Sequence, residues 1–318
     1  MEINLILLQT LLAVLVAFTW LNRVIRKKST SSKYKPPPEI PGARFIMGHL
    51  HLLKEQGWVD EHRQKRKMGL YDNNANKDDQ NFIDALLDME VDGSLEALQT
   101  DVDTVIKATV MNLTIAGTEN PTITTIWTIT LLLKNPCVLE KAQAEVDAIV
   151  GKERILNESD IANLPYLQAI VKETLRLYPP APVLVPHAAR EDCIVGGYHV
   201  SRGTRLVVNA WMIQRDPRLW SDPDKFCPER FIGSSMDIKG QSFEVLPFGS
   251  GGRMCPGLLF ALQVLQLTLA QMLHAFDWMI DPVAGIDMEE GFGPTLTKLN
   301  PLRMQLKPRL PEKLYASM

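Results

Sequence analysis

The chain has 318 residues and a formal net charge of −3, and 46% of its residues are hydrophobic and 22% charged. These ordinary globular values exclude a wholly disordered or collagen-like chain. The near-neutral charge gives no electrostatic basis for nucleic acid as a partner. Four scattered cysteines without a C-x-x-C pair argue against a disulfide scaffold and against a common structural zinc site.

An uncharged apolar stretch, residues 3–21, lies at the start of the chain. It has about the length that a helix needs to cross a bilayer. Trp20 and the basic residues after it follow the positive-inside rule with the N-terminus in the lumen. The alternative is a cleaved signal peptide, but the basic residues lie on the wrong side and no A-x-A-like site follows. We therefore expect a transmembrane anchor at 1–22.

A basic and proline-rich segment, residues 23–44, follows the predicted anchor. Its three consecutive prolines, 36–38, cannot continue a helix and favour a stiff extended segment. The segment is either a stiff spacer that orients a cytosolic domain on the membrane or a simple linker, and the sequence leaves both open. Residues 45–318 then form the main domain.

Helical periodicity dominates the main domain. The apolar spacing predicts helices at 81–90, 101–134 with a break at Pro121, 139–150, 162–177, and 256–276 with Pro256 in the first turn. Alternating residues predict a hairpin at 193–200 and a strand at 204–209. The predicted fold class is mostly α with small β-sheets.

A glycine-rich loop at 248–257, with the sequence FGSGGRMCPG, carries the strongest chemical signal. Its Cys255 comes just before a predicted helix, where unpaired N–H groups and the helix dipole favour thiolate over thiol. Glycines let the backbone approach a flat partner, and Arg253 can donate two hydrogen bonds to a carboxylate. A lone cysteine of this kind is more often structural, but the F-x-x-G-x-R-x-C-x-G spacing favours a binding role.

This loop resembles the haem-binding loop of the cytochromes P450, and three further motifs occur in that family's order. They are Ala116-Gly117-Thr118-Glu119 for A-G-x-acid, Glu173-Thr174-Leu175-Arg176 for E-x-x-R, and Pro228-Glu229-Arg230-Phe231 for P-E-R-F. Alone, E-x-x-R is weak, because i,i+3 ion pairs are common in helices. With the anchor, the hinge and the hairpin, the chain resembles a plant microsomal member. It is also similar to enzymes of alkaloid and related specialised metabolism.

The resemblance implies a role for each matching residue. Cys255 would be the axial thiolate ligand, and the metal ligand, of the iron of haem b. The other implied haem contacts are Arg253, His187, Phe248 and Gly251. The implied structural ion network is Glu173, Arg176 and Arg230. The implied catalytic positions are Glu119, in the proton-delivery path, and Asn120. The implied substrate pocket is lined by Met111, Ile115, Ala116, Val183, Leu184 and Leu296.

The chain departs from the family at two points. Asn120 and Pro121 stand where a threonine usually follows the helix acid, and Pro121 deprives the carbonyl of Gly117 of its helical partner. We hypothesise that this carbonyl holds a water near the oxygen site; the alternative is a kink without chemical effect. The chain is also much shorter than the roughly 500 residues typical of the family. We therefore expect a truncated domain that lacks much of its N-terminal half, exposes apolar surface and retains haem weakly or not at all.

The sequence thus predicts a haem-thiolate monooxygenase in the fold of a cytochrome P450, incomplete, with one N-terminal transmembrane helix. It would insert one oxygen atom from O2 into a small lipophilic substrate, with electrons from NADPH-cytochrome P450 reductase. It would be a single-pass protein of the endoplasmic reticulum membrane, in contact with lipid and with its catalytic part in the cytosol. The alternative is a truncated, haem-poor, non-enzymatic anchored variant.

Overall fold

The computed structural model describes residues 57–68, 81–95, 101–280 and 285–315. The predicted anchor at 1–22 and hinge at 23–44 lie outside these residues. Contacts divide the chain into two compact units, Met1–Ala85 and Leu86–Met318. In the described part of the first unit, the buried Asp84 carboxylate lies 3.1 Å from Nδ1 of His62. Nη2 of Arg66 donates to the Asp84 carbonyl at 2.8 Å.

Helices form most of the regular structure, as the sequence predicts. They are α1 (Gly57–Lys67), α2 (Phe82–Val91), α3 (Val102–Lys134), α4 (Pro136–Val150), α5 (Pro165–Leu177), α6 (Ala210–Ile213), α7 (Leu258–Ala275) and α8 (Glu312–Tyr315). Short 3₁₀ turns lie at Glu158–Asn163, Pro228–Phe231 and Gly251–Arg253. The prediction of a mostly α fold with small sheets is confirmed.

Three two-stranded antiparallel sheets complete the described structure. The strands are β1 (His187–Ala188), β2 (Cys193–Val195), β3 (Tyr198–Val200), β4 (Arg205–Leu206), β5 (Phe276–Ile280) and β6 (Met304–Pro308), paired β1–β4, β2–β3 and β5–β6. The predicted hairpin at 193–200 is present, and its turn is made by two glycines at positive φ, 58° for Gly196 and 85° for Gly197. The strand predicted at 204–209 is only two residues long, because Asn209 already caps α6 through its side chain.

The core lies where α3, α4, α5 and α7 pack together. Its largest fully buried side chains include Trp127 from α3, Leu167 and Ile170 from α5, and Leu269 and Leu273 from α7. Each of these helices turns an apolar face toward the others, and the removal of those faces from water is the main stabilising contribution.

The two halves of α3 have different surroundings. From Pro121 to Leu133 most side chains are buried, whereas in the N-terminal half Met111 and Leu113 remain 47% and 37% exposed. The predicted break at Pro121 is wrong, because the helix runs without interruption from Val102 to Lys134. Proline removes only one backbone hydrogen bond. The threonine hydroxyls at 118 and 122 bond to carbonyls of the preceding turn, and the C-terminal half is held by the core.

The helix α7 is a core helix, although it is long and apolar enough to cross a membrane. Among the described residues it is the one single helix with this length and hydropathy, and 44% of it is buried inside the protein. Leu265, Leu269 and Leu273 lie in the core. The helix begins at Leu258 with Gly257 as its cap, so the prediction of Pro256 in the first turn is wrong.

A carboxylate from a neighbouring helix caps the start of α5. Pro165 occupies the first turn, and the Glu145 side chain of α4 accepts from the backbone N–H groups of Tyr166 and Leu167 at 2.8 and 2.9 Å. These N–H groups have no partner within their own helix, and a negative charge at a helix N-terminus is favourable. The contact fixes the start of α5 against α4.

Glu145→Gln should lower the free energy of unfolding by about 1–2 kcal/mol, because one capping acceptor and the charge at the helix N-terminus are lost. Guanidinium unfolding followed by circular dichroism measures this. Glu140→Gln, an exposed change on the same helix, is the matched control and should leave the midpoint unchanged. Equal midpoints for the two variants would show that the cap contributes nothing.

Candidate functional site

The loop before α7 brings Phe248 and Cys255 together. The backbone N–H of Cys255 donates to the carbonyl of Phe248 at 2.9 Å, which closes the loop on itself. Gly249 and Gly251 have φ of 72° and 71°, a region that residues with a Cβ rarely adopt. Phe248 packs against the core, and Cys255 is a half-buried free thiol. The loop therefore presents its cysteine in a fixed place.

Open space lies beside this loop. A Cβ added at Gly252 or Gly257 would meet no atom within 4 Å. Arg253 is exposed and makes no ion pair or hydrogen bond with any described residue. At the start of α7, Leu259 and Phe260 are 71% and 60% exposed. A cysteine thiol, a cation and exposed apolar side chains therefore lie close together along this loop and the first turn of α7.

The start of α7 approaches the middle of α3. A Cβ on Gly117 would lie 3.7 Å from Cε1 of Phe260. Two residues further on, the exposed Glu119 accepts a hydrogen bond from Oγ1 of Thr295 at 3.3 Å. Asn120 is half-buried, and its carbonyl accepts from Oγ1 of Thr124 at 3.0 Å. The carboxylate of the A-G-x-acid motif is thus held near the turn at 294–297.

The predicted pocket residues divide into exposed and buried positions. Met111 and Ala116 are exposed and Ile115 is half-buried on the N-terminal half of α3. Val183 is 43% exposed, and Leu184 adopts a φ of 52°, which is strained for a residue with a bulky side chain. Met111, Ala116 and Val183 therefore present apolar side chains at the surface of the described residues.

Leu296 and His187 have contrasting environments. Leu296 is only 7% exposed, and its backbone accepts from Nε1 of Trp127 at 2.7 Å and donates to Pro180 at 2.9 Å. His187 lies on β1, is exposed, and pairs through its backbone with Leu206 of β4. No described contact joins the His187 side chain to the cysteine loop.

The acid and the arginine of E-x-x-R form a fully buried ion pair. Both side chains of Glu173 and Arg176 have an exposure of 0%, with Nε and Nη2 of the arginine 2.7 and 2.8 Å from the two carboxylate oxygens. Nη1 donates to the carbonyls of Gln214 and Pro223, both at 2.7 Å, and Nη2 also donates to Lys225. Each hydrogen-bonding group of the guanidinium therefore has a partner.

Arg230 of the P-E-R-F turn joins the same carboxylate. Its Nε lies 3.3 Å from Oε1 of Glu173, which also accepts from the backbone N–H of Cys227 at 3.0 Å. Nη2 of Arg230 donates to the carbonyl of Asp222 at 2.8 Å. The structure thus brings Glu173, Arg176 and Arg230 together in one network.

Gln214 connects this network to the cysteine loop, and sequence reasoning missed it. The side chain is completely buried, and its Nε2 donates to the carbonyls of Leu175 and Arg176 at 3.2 and 2.8 Å. Its Oε1 accepts from the N–H of Leu246, two residues before Phe248, at 2.7 Å. A glutamine between the apolar residues 210–213 and the charged residues 215–216 carries no sequence signal of burial, so only the three-dimensional structure reveals this link.

A second, partly exposed cluster holds the P-E-R-F turn from outside. The Glu229 carboxylate accepts from Nζ of Lys141 at 2.7 Å and from the Tyr166 hydroxyl at 2.9 Å. Burial raises the pKa of Glu229, but the hydrogen bonds from Lys141, the backbone and Tyr166 outweigh it and lower the pKa to about 2. Burial, followed by the bond to Glu229, raises the pKa of Tyr166. The cluster links α4, α5 and the turn.

Comparisons with known proteins agree with this geometry. The family model described as "Cytochrome P450" matches residues 54–307. A xanthotoxin 5-hydroxylase of Arabidopsis thaliana is 45% identical over 282 residues, which is 85% of this chain and 53% of that protein. A nicotine N-demethylase of Nicotiana tomentosiformis is 47% identical over 87% of this chain and 55% of its own length. A flavonoid-6-hydroxylase of Mentha piperita is 50% identical over 81% of this chain and 49% of its own length.

Solved structures give the same result. A zebrafish cytochrome P450 determined with abiraterone superposes with a TM-score of 0.59 at 36% identity, covering 66% of this chain and 48% of that one. The chain spans about half the length of the curated relatives it matches, as their covered shares of 53% and 55% show.

The residues at the loop fit the cofactor of this family. Within the described residues no group of three or more His, Cys, Asp or Glu could hold a metal ion. A metal at Cys255 would therefore need other ligands from a prosthetic group, as the porphyrin of haem supplies. The glycine-lined open space, the exposed apolar face of α7 and the free Arg253 suit a flat, apolar ring with anionic substituents.

Arg176→Met should lower the free energy of unfolding by about 3–5 kcal/mol, because it leaves the buried Glu173 carboxylate with Arg230 as its one cationic partner. Arg218→Met is the control, since Arg218 is in an exposed ion pair with Asp216 and should cost less than about 1 kcal/mol. Chemical unfolding of both variants and of the wild type measures these changes in the free energy of unfolding. A loss for Arg176→Met no larger than for the control would contradict the structural role of the network.

The pH dependence of Glu229 has a defined sign. Its folded-state pKa of about 2 lies below the ordinary value of 4.5, so its stabilising contribution is complete above about pH 4.5 and is lost as the pH falls toward 2. Glu229→Gln should therefore be less stable than the wild type at pH 7, and the difference should shrink as the pH falls. Thermal unfolding between pH 7 and 3 measures this. A difference that stays constant over this range would exclude the ionised pairing.

Proposed function

Because the chain belongs to the cytochrome P450 family, we propose that it is a haem-thiolate monooxygenase that inserts one oxygen atom from O2 into a small lipophilic compound. The relatives are named as a xanthotoxin hydroxylase, a nicotine demethylase and a flavonoid hydroxylase, which supports a substrate from plant specialised metabolism. The observation that carries the proposal is the link from the buried ion pair through Gln214 to the loop that presents Cys255.

Within this proposal each residue has a definite task. Haem, when bound, supplies the activation of oxygen, and electron donation from a thiolate favours cleavage of the O–O bond. Cys255 binds the iron, and the loop bond to Phe248 keeps the sulfur in place. Arg253 and His187 provide positive or hydrogen-bonding groups for the haem carboxylates, and Gly251 allows the backbone to approach the ring.

The middle of α3 handles protons and substrate in this proposal. Glu119, oriented by its bond from Thr295, holds or passes a proton at its carboxylate. Asn120 offers a hydrogen bond but is a poor proton donor. The apolar lining of the pocket consists of Met111, Ile115, Ala116, Val183, Leu184 and Leu296. An apolar lining excludes water and selects a lipophilic compound.

The proposal includes the partners and location of microsomal family members. Electrons come from NADPH-cytochrome P450 reductase, and the uncharged stretch at 3–21 anchors the chain in the endoplasmic reticulum membrane with the catalytic part in the cytosol. In this proposal the chain consists of an anchor at 1–22, a hinge at 23–44 and a partial catalytic domain at 45–318.

A second candidate is a haem-poor, non-enzymatic anchored protein, and one observation favours it. The apolar side chains of Met111 and Val183, which would lie on the substrate side of the ring, are 47% and 43% exposed among the described residues. Water at the site weakens electrostatic catalysis and allows side reactions. We therefore expect less than one haem for each chain.

Cys255→Ser should remove the red-shifted Soret band of thiolate-ligated, carbon-monoxide-bound haem in microsomes that contain the full chain. Cys193→Ser, a change of an exposed cysteine on β2, is the matched control and should retain the wild-type band. The reduced carbon-monoxide difference spectrum measures both. A wild-type chain without the band would overturn the monooxygenase proposal in favour of the haem-poor alternative.

A further inference from the structure

Three aromatic rings and two cations, here called the aromatic column, form a connected series of ring–ring and cation–ring contacts. The rings of Trp127 and Tyr178 are stacked with centroids 3.9 Å apart and an interplanar angle of 14°. Nζ of Lys298 lies 5.5 Å from the centroid of the Trp127 ring. Cζ of Arg215 lies 5.5 Å from the centroid of the Tyr178 ring and 4.4 Å from that of the Trp211 ring.

The cations of the column are nearly buried. The side chains of Lys298 and Arg215 are 4% and 10% exposed, and each forms an ion pair, Lys298 with Asp287 at 3.3 Å and Arg215 with Asp224 at 3.2 Å. Nη1 of Arg215 is buried without a hydrogen bond. Such desolvated cations are costly, and a ring face is one of the few apolar surfaces that offset this cost. An ordinary core would use apolar side chains here.

Backbone hydrogen bonds connect the column to two turns. Nε1 of Trp127 donates to the carbonyl of Leu296 at 2.7 Å, and the N–H of Leu296 donates to the carbonyl of Pro180 at 2.9 Å. The N–H of Trp211 donates to the carbonyl of Pro182 at 2.9 Å. The first turn, residues 180–184, and the second turn, residues 294–297, are therefore bonded to each other, the first also to Trp211 and the second to Trp127.

We propose that the aromatic column is a positioning device that fixes the spacing between the two turns and thereby sets the size of substrate that the site accepts. The assignment of both turns to the substrate pocket rests on the proposed function, whereas the mechanical coupling does not. The strained φ of 52° at Leu184 in the first turn is consistent with a segment held by its surroundings.

Hydrogen–deuterium exchange of the purified full chain tests the coupling without haem. Tyr178→Leu removes the stack, and we expect the amides of Leu296 and Trp211 to exchange about tenfold faster, the equivalent of one lost hydrogen bond. Tyr178→Phe keeps the stacked ring. Its amides should exchange at the wild-type rate, since the Tyr178 hydroxyl has no hydrogen bond to a described residue.

A pair of tryptophan variants separates this role from general core packing. Trp127→Phe keeps a stacked ring but loses the bond to Leu296, so it should speed exchange in the second turn. Trp278→Phe loses a comparable indole bond, to the carbonyl of Met272 at 3.2 Å, outside the column, and should leave both turns unchanged. Unchanged exchange in Tyr178→Leu, or an equal increase throughout α7, would overturn the proposal.

Spectral titration of the haem-loaded chain with 1-phenylimidazole and the larger clotrimazole tests substrate size. Tyr178→Leu should change the ratio of the two dissociation constants by about fivefold and Tyr178→Phe by less than twofold. An unchanged ratio in Tyr178→Leu would overturn the role in size selection. Absence of any haem spectrum in the wild type would instead overturn the proposed function, and the exchange experiment still decides the coupling.

Discussion

The buried ion pair between Glu173 and Arg176 is the constraint on which the rest of the structure depends. Two opposite charges with no exposure to water are tolerated only if every polar atom has a partner. The guanidinium meets this condition because it donates to the carbonyls of residues 214, 223 and 225. The carboxylate meets it because it pairs with Arg230 and accepts from the N–H of Cys227. Because these partners come from residues 214–230, the hydrogen bonds hold this irregular segment around the end of α5.

This requirement extends to the chemistry of the loop at 248–257. Gln214 supplies its backbone carbonyl to Arg176 and its side chain to the N–H of Leu246, so the same residue takes part in the ion network and in the loop. The loop then closes through the bond between Cys255 and Phe248. A short series of hydrogen bonds therefore leads from a buried charge to the thiol that would bind iron.

The distribution of burial along α3 and α7 separates stability from function. The C-terminal half of α3 and the C-terminal part of α7 lie in the core, while Met111, Leu259 and Phe260 are exposed at the opposite ends. The described part of the chain can therefore hold a packed helical core and still leave the proposed haem face open. The packed core therefore does not depend on the side chains that would face haem.

The motifs, the helices and the hairpin could be predicted from the sequence, because each depends on residues close together along the chain. The spacing around Cys255 and the i,i+3 pair of E-x-x-R are local patterns, as are the glycines at 196 and 197. Only the tertiary structure decided that α3 continues through Pro121, that Leu296 is buried against Trp127, and that Gln214 joins the network to the loop. The physical reason is that these outcomes depend on partners distant in sequence: core packing outweighs one lost backbone bond, and a buried polar group takes the partner that the fold brings to it.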